Sequence, residues 1–319
     1  MNAKLGNILK QEKRMVIDGS MGTALEDLGA DLTNALWTAS VLTKQSELIA
    51  KVHENYFKAG ADCGITASYQ ATIPGLTAAG YTAAEAEGLI AKAVRIFKDA
   101  RDAWWQAEGE AAGRAYPLCL ASVGPYGAYL ADGSEYKGHY GLSKDELRDF
   151  HRRRVELLAA EDPDLILFET VPSLTEALVE AEIAEDMGLD YWVSFSCKDD
   201  AHICEGDPIR DAAAAFAEGH PHLQMIGVNC TKPQYITGLI GEIKAACDLP
   251  IAVYPNSGEE YDAVTKTWHG VESDLTFYDH ALSYYQAGAA AVGGCCTTVA
   301  DHIRQVVQAR ADYLKGLKA

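Results

Sequence analysis

The stretch Leu165-Ile166-Leu167-Phe168-Glu169, followed by an amphipathic pattern over Ser173–Met187, decides the fold of this chain. A short, unbroken apolar run is what a strand buried on both faces looks like, and a helix-period segment directly after it reads as a parallel crossover. The pairing recurs in both directions. Upstream, strands are predicted at Met15–Ile17, Cys63–Ala67 and Pro117–Val123, with helices over Lys44–Ala59, Ala83–Trp105 and Ser143–Ala159. The last of these opens on Ser143 and Glu146 at capping-box spacing. Downstream, strands at Tyr191–Phe195, Gln224–Val228, Ile251–Tyr254 and Ala289–Val292 alternate with helices over Pro208–Phe216, Pro233–Ala246, Leu275–Gln286 and Val299–Leu314. Eight strand–helix units in 319 residues predict an α/β protein, a single (β/α)8 TIM barrel over residues 1–319. The competing fold is a doubly wound open sheet. Gly19, Gly22 and Gly29 after the first strand do not form the G-x-G-x-x-G pattern of a dinucleotide site.

Composition narrows the partners. Hydrophobic residues make up 48% and charged residues 23%, as in ordinary globular proteins, and the formal net charge is -19. That charge disfavours nucleic acid and anionic membranes and leaves cationic small molecules unopposed. The stretch 281–300 lacks charge but contains glycine, Ser283, Gln286 and two tyrosines, and reads as a helix end plus a buried strand, not a membrane span. Eight cysteines at irregular spacing in a long chain do not form a secreted disulfide framework, and the amino terminus lacks the apolar segment of a signal peptide. A cytoplasmic location with reduced thiols is expected. Ala107–Ala115 reads as an exposed loop, while Tyr126–Tyr140 and Ser257–Val271 read as long loops on the barrel face where active sites sit.

Polar residues at the carboxyl ends of barrel strands point at one site. Here those ends carry Asp18, Thr66 to Gln70, Ser122, Glu169, Ser196, Asn229-Cys230, Asn256 and Cys295-Cys296. Cys230, Cys295 and Cys296 lie in turns containing glycine or asparagine at the ends of the sixth and eighth strands. Three thiolates gathered there would hold a zinc ion and leave its fourth tetrahedral position open, suited to activating a substrate thiol. Cys63, Cys119, Cys197, Cys204 and Cys247 read as small core hydrophobes, and the nine histidines show no zinc-ligand spacing. A redox-active pair at Cys295-Cys296 is a further possibility, but it leaves Cys230 unexplained. Asp18 either binds a ligand or closes the barrel end by a structural hydrogen bond. Glu169 reads as the partner of a ligand's ammonium group, and Gly19-Ser20 as donors of backbone N–H groups to a carboxylate. Asn229 is expected to position the cysteine loop or touch the ligand.

Across its length the chain resembles the homocysteine S-methyltransferases. The matching motifs are Asp18-Gly-Ser-Met-Gly-Thr23, Leu36-Trp37-Thr-Ala-Ser40, Phe168-Glu169-Thr170, Gly227-Val-Asn-Cys-Thr231 and Gly293-Gly-Cys-Cys-Thr-Thr298. The resemblance implies a zinc-bearing barrel in which Cys230, Cys295 and Cys296 hold the metal. It also implies that Asp18, Gly19, Ser20 and Glu169 hold homocysteine, with Trp37 and Asn256 nearby. Asp-Gly-Ser-Met-Gly departs from the Asp-Gly-Gly of the betaine-dependent branch, and no folate or cobalamin modules are attached. The likeness is therefore to bacterial and plant enzymes that take methyl from S-methylmethionine, often also from S-adenosylmethionine, and form methionine. Tyr126, Tyr129 or Trp37 is expected to face the donor's sulfonium. The alternatives are a betaine-type or other-donor enzyme and a non-catalytic zinc or redox module. The sequence leaves oligomeric state unspecified.

Overall fold

The computed structural model describes residues 1–32, 38–258, 260–262, 267–269 and 275–318. Eight strands run parallel: β1 (Met15–Val16), β2 (Cys63–Ile65), β3 (Leu118–Val123), β4 (Leu165–Val171), β5 (Tyr191–Phe195), β6 (Leu223–Asn229), β7 (Ile251–Tyr254) and β8 (Ala291–Val292). Their order around the sheet is β1-β8-β7-β6-β5-β4-β3-β2. The seam between β1 and β2 is drawn shut by few backbone bonds. Asp62 N–H donates to Val16 O at 2.8 Å, Val16 N–H donates to the Asp62 carboxylate at 2.8 Å, and Ile65 N–H donates to Asp18 Oδ2 at 2.9 Å. Two side-chain carboxylates thus finish what a longer ladder would do, and the sheet is a nearly closed (β/α)8 barrel. The open-sheet alternative is excluded.

Successive side chains on a strand point to opposite faces, and this alternation separates two cores. Met15, Leu118, Leu120, Leu165, Leu167, Trp192, Met225, Ala252 and Tyr254 fill the barrel interior. Val16, Cys119, Ala121, Ile166, Phe168, Tyr191, Val193, Ile226 and Val253 face outward, under the helices. Gly227 points inward on β6, where a Cβ would stand 1.8 Å from Ala252 O, so only glycine lets β6 and β7 approach.

The surrounding helices are α1 (Ala3–Glu12), α2 (Ser46–Ala59), α3 (Ala83–Trp104), α4 (Lys144–Ala159), α5 (Leu174–Asp186), α6 (Ile209–Ala215), α7 (Ile236–Ala246), α8 (Phe277–Ala287) and α9 (Ala300–Gly316). The capping box at Ser143 and Glu146 forms as its spacing predicts. None of the described helices is long and apolar enough to cross a membrane; the uncharged stretch 281–300 contains the end of α8 and all of β8.

Four details depart from the sequence reading. Helix α1 was not anticipated; it plugs the amino-terminal end of the barrel, with Leu5 and Ile8 buried in the interior core and Asn2 bonded to Gln224 and Asp190. Ala107–Ala115 is not simply a loop, since a π-turn over Trp105–Gly109 prolongs α3 and Ala115 is buried. Within Tyr126–Tyr140 lie a short helix, Tyr126–Leu130, and a 3-10 turn, Ser134–Tyr136. The described part of Ser257–Val271 includes a hairpin, Glu260–Asp262 with Thr267–His269.

Candidate active site

Strand phase brings a polar layer to the carboxyl end of the barrel. Glu169 is in phase with Leu165 and Leu167, Ser122 with Leu118 and Leu120, Ser194 with Trp192, and Asn229 with Met225 and Gly227, so all point inward above the apolar core. Above this layer the three cysteines meet. Ligand atoms of Cys230, Cys295 and Cys296 all lie within 4.8 Å of one another, and Cys230 Sγ is 3.4 Å from Cys296 Sγ.

Backbone bonds hold the three cysteine-bearing and neighbouring loops in place. Cys230 N–H donates to Tyr254 O at 3.2 Å, Cys295 N–H to Pro255 O at 2.7 Å, and Ser257 N–H to Cys296 O at 3.3 Å. Three non-glycine residues here adopt left-handed backbone: Thr170 (φ 59°), Cys230 (φ 49°) and Thr297 (φ 64°). That conformation costs of order 1–2 kcal/mol per residue and persists where the surroundings over-determine it. Asn229 supplies such surroundings. Its Oδ1 accepts from Thr170 N–H and Ser194 Oγ–H, both at 2.8 Å, and its Nδ2 donates to Thr170 Oγ1 at 2.8 Å while standing 3.9 Å from Cys295 Sγ. Asn229 therefore positions the cysteine loop.

The donor set fits a metal ion such as zinc. A tetrahedral ion with Zn–S bonds of about 2.3 Å sets its sulfurs about 3.8 Å apart, close to the spacing found here. Left as thiols, the group is awkward: contact with Cys230, together with burial, pushes the Cys295 thiol up. The Tyr136 hydroxyl lies 3.0 Å from Cys230 Sγ. This residue escaped the sequence reading because it stands in a loop with no periodic signal. Tyr126 and Tyr129, expected beside the donor, instead pack their rings against Phe150 of α4 at 4.9 and 5.5 Å. Trp37 lies outside the described residues.

Two acids stand beside the thiols, and no lysine or arginine pairs with them among the described residues. Glu169 accepts from the Ser122 hydroxyl, and burial pushes its carboxyl up to about 7, against the pull of Ser122 and Tyr254. Asp18 spends Oδ2 on the barrel seam, as one of the two readings expected, and leaves Oδ1 buried with no hydrogen-bond partner. Burial pushes Asp18 well above its ordinary value, and the nearby charge of Glu169 adds to this. Asn256 Oδ1 is likewise buried and unpartnered. The first-strand turn is more committed than expected. Ser20 N–H already donates to Thr298, Ser20 Oγ caps the helix Met21–Asp27 by accepting from Thr23 N–H, and Gly19 makes room for Tyr56.

The remaining cysteines divide. Cys63, Cys119 and Cys197 are buried as predicted, whereas Cys204 and Cys247 are only half-buried. A second cluster, His151, Glu176 and Glu180, also brings its ligand atoms within 4.8 Å of one another. Its hydrogen bonds mark an anchor. Arg154 Nη2 is 3.0 Å from His151 Nδ1; a guanidinium only donates, so Nδ1 carries the lone pair and Nε2–H points at Glu176 Oε1, 2.9 Å away. Arg154 also reaches Gly124 O, and Tyr126 N–H donates to Glu176, so the cluster fixes the start of the loop that carries Tyr136.

Comparison with known proteins bears on this site. A family profile described as homocysteine S-methyltransferase matches residues 15–310. The homocysteine S-methyltransferase YbgG of Bacillus subtilis is 45% identical, with 98% of each chain covered. The homocysteine S-methyltransferase of Escherichia coli is 43% identical over 94% of this chain and 96% of its own. Among solved structures, the metallated form of the homocysteine methyltransferase MmuM from Escherichia coli superposes with a TM-score of 0.85 at 38% identity, over 95% of this chain and 98% of that one. A barrel with its thiols and acids at one mouth, and relatives this similar over nearly the whole chain, lead to one conclusion: the protein belongs to the homocysteine S-methyltransferase family and is a methyltransferase acting on homocysteine.

Proposed function

We propose that the barrel, as one domain over residues 1–319, transfers a methyl group from S-methylmethionine, and also from S-adenosylmethionine, to L-homocysteine to form methionine, with zinc held by Cys230, Cys295 and Cys296. The observation that carries this reading is the meeting of three sulfurs beside two acids that no lysine or arginine pairs with among the described residues. Zinc bound there would favour the thiolate form of homocysteine, whose ordinary thiol pKa is about 8.5, near neutral pH.

The chain's own residues supply the rest. Glu169 and Asp18 engage the ammonium group of homocysteine; bringing a cation to Glu169 replaces an unfavourable burial with a charge pair. The committed N–H of Ser20 points to a minor part for that residue, with Gly19 and Asn256 left to meet the substrate's carboxylate and flank. Asn229 and Tyr136 hold the sulfur ligands in register. The methyl carbon leaves the sulfonium sulfur, whose bonding pair stays on the departing thioether, and bonds to the homocysteine sulfur through that sulfur's pair. The thiol proton passes to water. A thioether is a good leaving group, so alignment of the two sulfurs supplies much of the rate and no general acid is required. The half-buried and buried thiols suit a reducing compartment such as the cytoplasm.

The test is to supply methyl-labelled S-methylmethionine, S-adenosylmethionine and betaine in parallel, with homocysteine and the zinc-loaded protein. Label is expected in methionine from the sulfonium donors; methionine formed from betaine alone would reverse the assignment.

A further inference from the structure

The pocket holds a third acid that neither the barrel strands nor the homocysteine reading uses. Glu135 sits in the 3-10 turn Ser134–Tyr136, one residue before the tyrosine that touches Cys230. Its backbone is clamped: Ser196 Oγ–H donates to Glu135 O at 2.8 Å, and Gly127 packs so closely that a Cβ there would lie 2.5 Å from Glu135 N. Its Oε2 is buried with no hydrogen-bond partner, and no lysine or arginine pairs with it among the described residues. Burial is the main reason its carboxyl rises to about 7.

The charges of Glu135 and Glu169 reach the sulfur cluster through different cysteines, Cys296 and Cys295. Glu135 acts on Cys296, Tyr136 and Cys204, Glu169 acts on Cys295, Asp18 and Tyr254, and both act on Tyr69. Asp18 and Glu169 stand at strand ends as one acid pair, and Glu135, in the turn that carries Tyr136, is a separate acid. Homocysteine has one ammonium group, which the pair can take. Glu135, next to the tyrosine that touches Cys230, is the acid left for the other reactant.

Resting on the sulfonium-donor reading above, we propose that Glu135 is the residue that recognises the cationic sulfonium of the methyl donor. A preplaced carboxylate that no ion pair holds attracts a cation and discriminates against a neutral thioether of the same shape. The positive charge on sulfur fades as the methyl group departs, so this contact is stronger in the ground state than in the transition state. It sets KM and selectivity, and does not raise kcat.

The experiment compares wild type, Glu135→Gln and Glu135→Asp with S-methylmethionine as donor and with methionine as an inhibitor competing against it. Methionine keeps the ammonium and carboxylate groups and lacks only the sulfonium charge. In Glu135→Gln the KM for S-methylmethionine is expected to rise about 10-fold or more, with kcat within about 3-fold. The inhibition constant of methionine and the KM for homocysteine are expected to hold, and Glu135→Asp to fall between the two proteins. An unchanged donor KM, or a parallel weakening of methionine, overturns the proposal. Absence of wild-type turnover with any sulfonium overturns the donor reading and this inference together, whereas wild-type turnover with an indifferent variant overturns this inference alone.

Discussion

The two ends of the barrel both bury acids, and they treat them in opposite ways. At the amino-terminal end, Asp62 is held by Arg310 at 2.6 Å and Arg114 at 3.2 Å, and Asp164 by Arg101 at 2.9 Å and by Lys4, with Val16 and Cys119 N–H groups adding to each. At the carboxyl end, Asp18, Glu135 and Glu169 face the sulfur cluster and no described lysine or arginine pairs with them. Burying a charge is costly unless it is paired. The paired end is scaffold, closed by α1 and by Arg101, Arg114 and Arg310. At the unpaired end the cost is carried by the fold and relieved by a cationic ligand.

That contrast can be broken by exchanging roles. The largest effect is expected for Cys296→Ala, which removes one of three sulfurs. Bound zinc and turnover should be lost together, the latter by more than about 1,000-fold, as read by metal analysis and methionine formation. Full activity in the metal-free variant would refute the metal reading. Next is Asp62→Asn at the opposite end, which leaves Arg310 and Arg114 facing a neutral group. Urea unfolding should show a loss of about 3–5 kcal/mol, with activity per folded molecule unchanged. Glu169→Gln sharpens the comparison from the other side. The KM for homocysteine should rise about 10- to 100-fold, while stability without substrate holds or improves, because no paired charge is removed.

The smallest effect is a pH slope. Unfolded, Glu169 titrates near its ordinary 4.5; folded, it holds its proton to about 7. Between those values the folded form binds more protons, so this group's contribution to stability falls as pH rises from about 4.5 to 7. Substrate-free wild type should therefore lose stability more steeply over that window than Glu169→Gln, in parallel thermal melts, and saturating homocysteine should flatten the difference. Equal slopes would mean that Glu169 is not held neutral by burial.

Much of the barrel was legible because parallel strands buried on both faces write unbroken apolar runs, as Leu165–Phe168 does. The cysteine trio was legible for a related reason: each lies just past such a run, where side chains meet over the barrel mouth. Ser122 was legible in the same way as a strand end, and strand phase would also have placed Ser194 inside, since it follows the inward Trp192 at even spacing. Tyr136 and Glu135 were out of reach. They sit in a fifteen-residue stretch, 126–140, whose conformation is set by Ser196 and the buried Arg154 cluster, both outside the stretch. Helix α1 was missed for the complementary reason: only Leu5, Ile8 and Leu9 mark its inner face, and its role depends on Asp190 and Gln224, distant in the chain.

The most direct measurement is zinc-edge X-ray absorption on the zinc-loaded protein before and after addition of homocysteine. Three sulfur neighbours at about 2.3 Å, rising to four when homocysteine is added, are the expected result. A metal held by fewer than three sulfurs, or a count that homocysteine leaves unchanged, would contradict the reading of this barrel mouth as a thiol-activating site.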